Sequence, residues 1–260
     1  ARHDAVREIM DENLRVQDSE RHFELHLRAA AYFEKRLEKA TGEEAGRLGL
    51  ERLYHHVRAD EEAGIKLFQE MIEELVRYRL VNQLRALLSD ANTYPLEREN
   101  SRLWRNYYNA RFLHITGQTL EAEKIYQTIA DDAKVEPKLR AYAYHDWGTT
   151  LRGRRIGKPE FMDKALTCFE LSLVIGTLDY KLATGLLELM GIHRDKGDWD
   201  KALDDLNRAL NYFNEQNSLY DQAVVYNRFR WYYIYRGNWQ QMLAMQEQGL
   251  RIIHELGFVK

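Results

Sequence analysis

The sequence predicts an all-α protein built as an array of helix pairs, an α-solenoid. Three observations lead there. Only 3 of 260 residues are proline, while Leu, Ala, Glu, Arg and Lys, which enter helices at low cost, abound. Pro95, Pro137 and Pro159 each stand just ahead of a periodic segment, where a first-turn proline sacrifices no hydrogen bond. Finally, a glycine-centred pattern recurs. Lys196-Gly197-Asp198-Trp199 is followed by the small residues Ala202 and Ala209, and Arg236-Gly237-Asn238-Trp239 by Met242 and Gly249 at the same offsets. Gly117, Ala122 and Ile129 carry it earlier in the chain. A period of about 40 residues marks a repeat architecture, in which each unit buries its apolar face against its neighbours.

Taken in order, residues 1–16 place Val6, Ile9, Met10 and Leu14 on one helical face. Asp18 and Ser19 supply cap residues for a helix over 20–39 that carries Phe23, Leu25, Leu27, Ala30, Phe33 and Leu37. Thr41-Gly42 breaks that helix, and another follows over 43–58. Asp60-Glu61-Glu62 opens the next with acidic residues, which favour the positive end of a helix dipole. Two further helices, 61–77 and 79–90, end at Ser89-Asp90-Ala91-Asn92. Past Pro95 the units read as 96–132, 137–175, 178–214 and 218–256. Each is a long helix, a turn holding glycine and a second helix with small residues. Alanine at 122, 165 and 202 lets two helix axes approach to about 8–10 Å. Glycine in the turn adopts a left-handed conformation without a Cβ penalty. Three segments result: 1–42, 43–95 and the array 96–260.

The formal net charge is −3, and neither half of the chain is strongly one-signed. That balance argues against a dedicated nucleic-acid or membrane surface. A single cysteine, Cys168, forms no intrachain disulfide and suits a reducing, cytoplasmic setting. No apolar run approaches the ~20 residues of a bilayer span, and no signal peptide is present. The chain starts at Ala1 without methionine and runs directly into helical sequence, so it reads as a segment of something longer.

Chemical motifs are sparse. Gly153-Arg-Arg-Ile-Gly157-Lys158 approaches a phosphate-cradling loop, but the spacing is one residue short and Pro159 follows the lysine. Its run of basic residues from Arg152 to Lys158 reads as a solvated turn. His22 and His26 lie four apart and share a helix face, as metal ligands sometimes do. With no third ligand or general-base glutamate at zincin spacing, they read as a surface or packing pair. His55 and His56 are adjacent and point to different faces. Cys168 reads as a small buried residue. No nucleophile–base arrangement has local support, so the sequence predicts no catalytic site, no cofactor and no metal.

The 96–256 region resembles the tetratricopeptide (TPR) repeat family, with 43–92 a looser match. Ala110 and Gly148 fit the family's small first-helix position, whereas Met190 and Arg230 depart from it, as does Met242 in the second helix. The period exceeds the family's 34 residues. The resemblance implies a right-handed superhelix of antiparallel helix pairs. His3-Asp4-Ala5-Val6-Arg7-Glu8 resembles the end of the winged-helix region of STAND-type (NB-ARC class) signalling ATPases. His26-Leu-Arg-Ala-Ala-Ala-Tyr-Phe33 and Leu53-Tyr54-His55-His56 look like the helical bridge into the sensor array of such proteins. This implies that 1–42 is a winged-helix remnant and bridge, that a nucleotide-binding module lies adjacent, and that the array senses an effector.

In such an array the first helix of each unit lines the inner surface. From the glycine register, the open face is expected to present Trp104, Tyr107, Arg111 and His114 from the first unit. Tyr142, His145 and Arg152 follow from the second, Thr184, Leu187 and Arg194 from the third, and Asn227, Trp231 and Tyr235 from the fourth. Aromatic anchors beside arginines suit recognition of a peptide or protein effector. A free-standing TPR-type regulator or scaffold, such as a peptide-sensing transcriptional regulator, is the alternative.

Overall fold

The computed structural model describes residues 2–154 and 159–257, with side chains from residue 9 onward. The side chains of the His3–Glu8 run, and Arg155–Lys158 of the basic turn, lie outside the described residues. All regular structure among the described residues is helical, in thirteen helices, as the low proline content and the periodicity predict. The chain divides into two compact units, Ala1–Gln118 and Thr119–Lys260. The division falls inside the segment that the glycine pattern assigns to the first repeat.

The first unit contains α1 (Arg2–Gln17), α2 (Ser19–Leu37), α3 (Gly42–Ala59), α4 (Glu61–Arg77), α5 (Val81–Ala91) and α6 (Glu99–Ile115). Local chemistry sets its turns. Asp18 accepts a hydrogen bond from the Arg21 amide at 2.9 Å, and Asp60 accepts from the amides of Glu62 and Ala63 at 2.9 and 3.1 Å. Each satisfies donors that a helix start leaves unpaired. Helix α5 begins two residues later than predicted. Arg79 adopts a left-handed backbone with φ 56°, which ends one helix before the next can start. Consecutive helices pack side by side from α1 to α4. Leu48, Leu53, Phe68, Ile72, Leu87, Trp104, Tyr107 and Tyr108 form the core. Gly64 lets α4 pass close to the end of α3: a Cβ there would stand 2.5 Å from the Val57 Cα.

The second unit contains α7 (Thr119–Asp131), α8 (Pro137–Gly153), α9 (Pro159–Ile175), α10 (Tyr180–Lys196), α11 (Trp199–Glu215), α12 (Leu219–Tyr235) and α13 (Trp239–Glu255). Pairs α8–α9, α10–α11 and α12–α13 form the repeats, and the second helix of each repeat also packs on the first helix of the next. The first helices α8, α10 and α12 are neighbours in turn. This is the connectivity of an α-solenoid. Ala165, Ala202 and Ala209 have no exposed surface, in keeping with their role as close-packing positions. Gly197 and Gly237 close their turns with φ of 82° and 68°. Trp199 meets Tyr232 of the following repeat edge-on at 5.8 Å, with Arg236 over its indole. It therefore joins one repeat to the next. No helix among the described residues is long and apolar enough to cross a membrane.

Candidate interaction surface

The residues expected on the open face divide sharply. In the first unit, Trp104 is 3% exposed and Tyr107 is 0% exposed. Trp104 stacks on Tyr108 at 5.9 Å and meets Tyr107 edge-on at 5.7 Å. These two rings are core, which corrects their expected presentation. The reason is helix geometry: a helix covered by neighbours along more than one stripe has no free face at those positions. Arg111 lies above the Tyr108 ring and pairs with Glu73. His114 is half-buried in the last turn of α6.

In the second unit the expected residues fall along the three adjacent first helices. Tyr142 on α8 donates a hydrogen bond to Asp179 at 2.5 Å, and the ammonium groups of Lys138 and Lys181 lie 5.6 and 5.4 Å from its ring centre. His145 is buried, with its ring edge-on to Phe169 at 5.5 Å, and its Nδ1 lies 2.9 Å from Asp146. Leu187 is also buried, so this residue and His145 contribute packing rather than surface. Thr184 turns its hydroxyl inward to donate to the Lys181 carbonyl at 2.6 Å. Arg152 pairs with Glu188 across α8 and α10, and Lys181 with Asp146 at 2.7 Å across the same pair. These charges neutralise one another and fasten neighbouring repeats.

Toward α12 the character changes. Trp231 is 42% and Tyr235 is 58% exposed, with ring centres 6.5 Å apart on successive turns of one helix. The Arg194 guanidinium of α10 lies 5.0 Å from the Tyr235 ring centre and is held by Asp195 at 2.6 Å. Arg230 lies 4.8 Å from the Trp231 ring centre and donates from Nε to the exposed Asn227 at 3.2 Å. Four of the expected residues, Arg194, Asn227, Trp231 and Tyr235, thus come together. Arg230 is a fifth that the repeat register counts only as a departure from a small residue. Its signal was its spacing, next to Trp231 and three after Asn227. Two π faces with two oriented guanidinium groups offer apolar contact area beside charge-assisted donors, the combination found at binding hot spots.

Two further buried polar groups of the second unit are paired or shielded. His193 and Asp205 form a buried pair at 2.7 Å, where burial pushes the Asp205 carboxyl up and the His193 hydrogen bond opposes it. Cys168 is buried, and burial pushes its thiol up to about 12, so it stays protonated and unreactive near neutrality.

No family model matches the chain, and no curated protein matches it in sequence. Solved structures do resemble its fold. BtubC (BKLC) from P. vanneervenii aligns with a TM-score of 0.57 at 16% identity, covering 94% of each chain. The nearly identical TPR-like repeats of a putative kinesin light chain from Podosopora anserina align with a TM-score of 0.50 at 17% identity, and a Q17M form of them with 0.52 at 16%. These two alignments cover 74% and 75% of this chain and 94% and 95% of theirs. At such identities the likeness is one of fold. Together with the helix order, it shows this chain to be an α-solenoid with TPR-like helical repeats.

Proposed function

We propose that the chain is a non-catalytic, protein-interaction sensor region of a STAND-type signalling ATPase, and that it binds a peptide or protein effector. The observation that carries this reading is the cluster of Arg194, Arg230, Trp231 and Tyr235, where two neighbouring repeats expose oriented rings and cations together. The polar face of α8 and α10, with Tyr142, Lys181, Arg152 and Glu188, extends it. An effector with an acidic group beside an apolar side chain suits this chemistry. Its preference for one arrangement of an adjacent nucleotide-binding module would shift that module's equilibrium. Support for the ATPase setting comes from the His3–Glu8 run and from the order of bridge helices before the repeats.

Two experiments test the two parts. Twelve-residue peptides are selected on the whole chain from a randomised library, and their affinity is measured by fluorescence anisotropy. Trp231→Ala and Arg194→Ala are expected to weaken the selected peptides at least tenfold while the helical circular dichroism signal at the assay temperature holds. Equal affinity for the parent and both variants would overturn the site. A reading frame without a nucleotide-binding module upstream of residue 1 would remove the ATPase setting and favour the free-standing regulator.

A further inference from the structure

Away from that surface, in the first unit, α1, α2 and α3 bring together a buried cluster of imidazoles around one carboxylate. Asp11 on α1 turns its Oδ1 toward α2. It lies 2.6 Å from the Nε2 of His26 and 3.1 Å from the Nε2 of His22. His22 and His26 are one helical turn apart, so their rings project from the same stripe, with centroids 4.4 Å apart. The Asp18 cap makes the α1–α2 turn tight enough to set Asp11 opposite both. His22 is 3% and His26 is 7% exposed, and the Asp11 side chain is 12% exposed. Among the described residues this is the one group of three potential metal donors with all ligand atoms within 4.8 Å of one another.

The surroundings orient these donors as outer partners orient ligands in metal sites. Arg58 places its Nε and a terminal nitrogen on the other Asp11 oxygen, Oδ2, each at 2.7 Å. This leaves Oδ1 to face the imidazoles. The Nδ1 of His26, on the far side of its ring, sits 2.8 Å from the Nδ1 of His55, which stacks in turn on Phe33. In the free protein His26 donates from Nε2 to Asp11 Oδ1 and its Nδ1 accepts from His55; in the other tautomer, with Nδ1 donating to His55, the Nε2 lone pair is free for a cation seated beside Asp11. Glu12, 3.6 Å from Arg58, offsets part of the guanidinium charge. Burial pushes the Asp11 carboxyl up, but the His26 hydrogen bond and the Arg58 charge outweigh it and hold the group below its ordinary value.

We infer that Asp11, His22 and His26 form a binding site for a divalent first-row transition cation of the zinc class, with His55 and Arg58 as positioning residues. Two imidazole nitrogens and one carboxylate oxygen are a donor set that suits Zn²⁺, with the fourth position open to water. Ligands at about 2.0–2.2 Å in a tetrahedral arrangement stand about 3.3 Å from one another. The Asp11–His22 separation is close to that, and the Asp11–His26 separation reaches it through a rotamer-scale adjustment. Because the ligands come from two helices, the ion would tie α1 to α2. The inference is independent of the effector reading.

The test uses the full chain, stripped with chelator and titrated with Co²⁺ followed by visible absorption, then with Zn²⁺ in competition. One saturable equivalent with intense d–d bands, displaced by Zn²⁺, is expected. Asp11→Asn, His22→Gln and His26→Gln should each weaken binding at least tenfold. His55→Ala should weaken it by about 10- to 100-fold, as loss of an outer-shell partner does. Should a variant lose helical signal, the parent decides the matter: the ring proton resonances of His22 and His26 should shift on Zn²⁺ addition while those of His145 and His193 stay fixed. Absence of both the Co²⁺ bands and the resonance shifts at millimolar metal overturns the proposal. So does metal binding that persists undiminished in a folded Asp11→Asn variant.

Discussion

Trp104 and Trp231 give a direct test of which aromatics hold the fold and which face a partner. The same truncation to alanine should cost clearly more stability at the first position than at the second. Trp104 is 3% exposed and packs on Tyr107 and Tyr108. Such a ring removes about 200 Å² from water, worth about 5 kcal/mol at 25 cal/mol/Å². Measured losses for Trp→Ala in cores run about 3–5 kcal/mol. At about 2–4 °C per kcal/mol for a chain of this size, Trp104→Ala should lower the melting temperature by roughly 6–20 °C. Trp231 keeps 42% of its surface exposed, and Arg230 covers part of the ring. With a little over half of its area buried, its truncation should cost about 3 kcal/mol at the same rate per buried area, less than at Trp104. Thermal and urea unfolding of the whole chain, followed by far-ultraviolet circular dichroism, separates the two. A Trp231→Ala variant that melts as low as Trp104→Ala would refute the surface assignment. A Trp104→Ala variant within about 3 °C of the parent would refute the core assignment.

Three further outcomes follow from the same reasoning. Gly64→Ala forces a methyl to 2.5 Å from the Val57 backbone and should cost at least about 2–3 kcal/mol. Gly46→Ala, in the preceding helix α3 with nothing within 4 Å, should instead gain about 0.5–1 kcal/mol in urea titrations. His193→Ala strands the buried Asp205 and should lose about 3 kcal/mol, largely recovered when Asp205→Leu is combined with His193→Leu. Burial, and then the charge of Arg52 with Glu34 opposing, hold His56 below its ordinary value of 6.5. The unfolded chain therefore binds the extra proton first. The stability from this group is present above about pH 6.5 and lost as the pH falls through it. Urea midpoints at pH 7.5 and 5.5 should differ less in His56→Gln than in the parent, and an equal or larger difference would count against the assignment.

Much of the helical order is legible in the chain because it depends on local chemistry. Asp18, Asp60, Pro137 and Pro159 start helices where their side chains dictate, and Gly197 and Gly237 end them in the left-handed conformation. The small residues Ala165, Ala202 and Ala209 mark helix contacts because no larger side chain fits there. The α5 start is not legible because nothing about arginine announces the left-handed backbone of Arg79. The candidate surface is legible in part: Trp231, Tyr235 and Arg194 follow from the register, whereas Trp104, Tyr107, His145 and Leu187 sit on the expected stripe and are nonetheless covered. Periodicity reports which residues share a face, and it does not report how many neighbours close over that face.

The Asp11 cluster shows the same boundary. The spacing of His22 and His26 places two imidazoles on one stripe by the pitch of the helix alone. That Asp11 meets them, that Arg58 turns its carboxylate, and that His55 backs His26 depend on three helices packing side by side. The sequence by itself determined the helices, their caps, the repeat period and the close-packing positions, since each rests on interactions within a few residues. Which side chains are covered, and which donors converge, were decided by tertiary structure, since contacts between distant residues have no signature in the spacing of either partner.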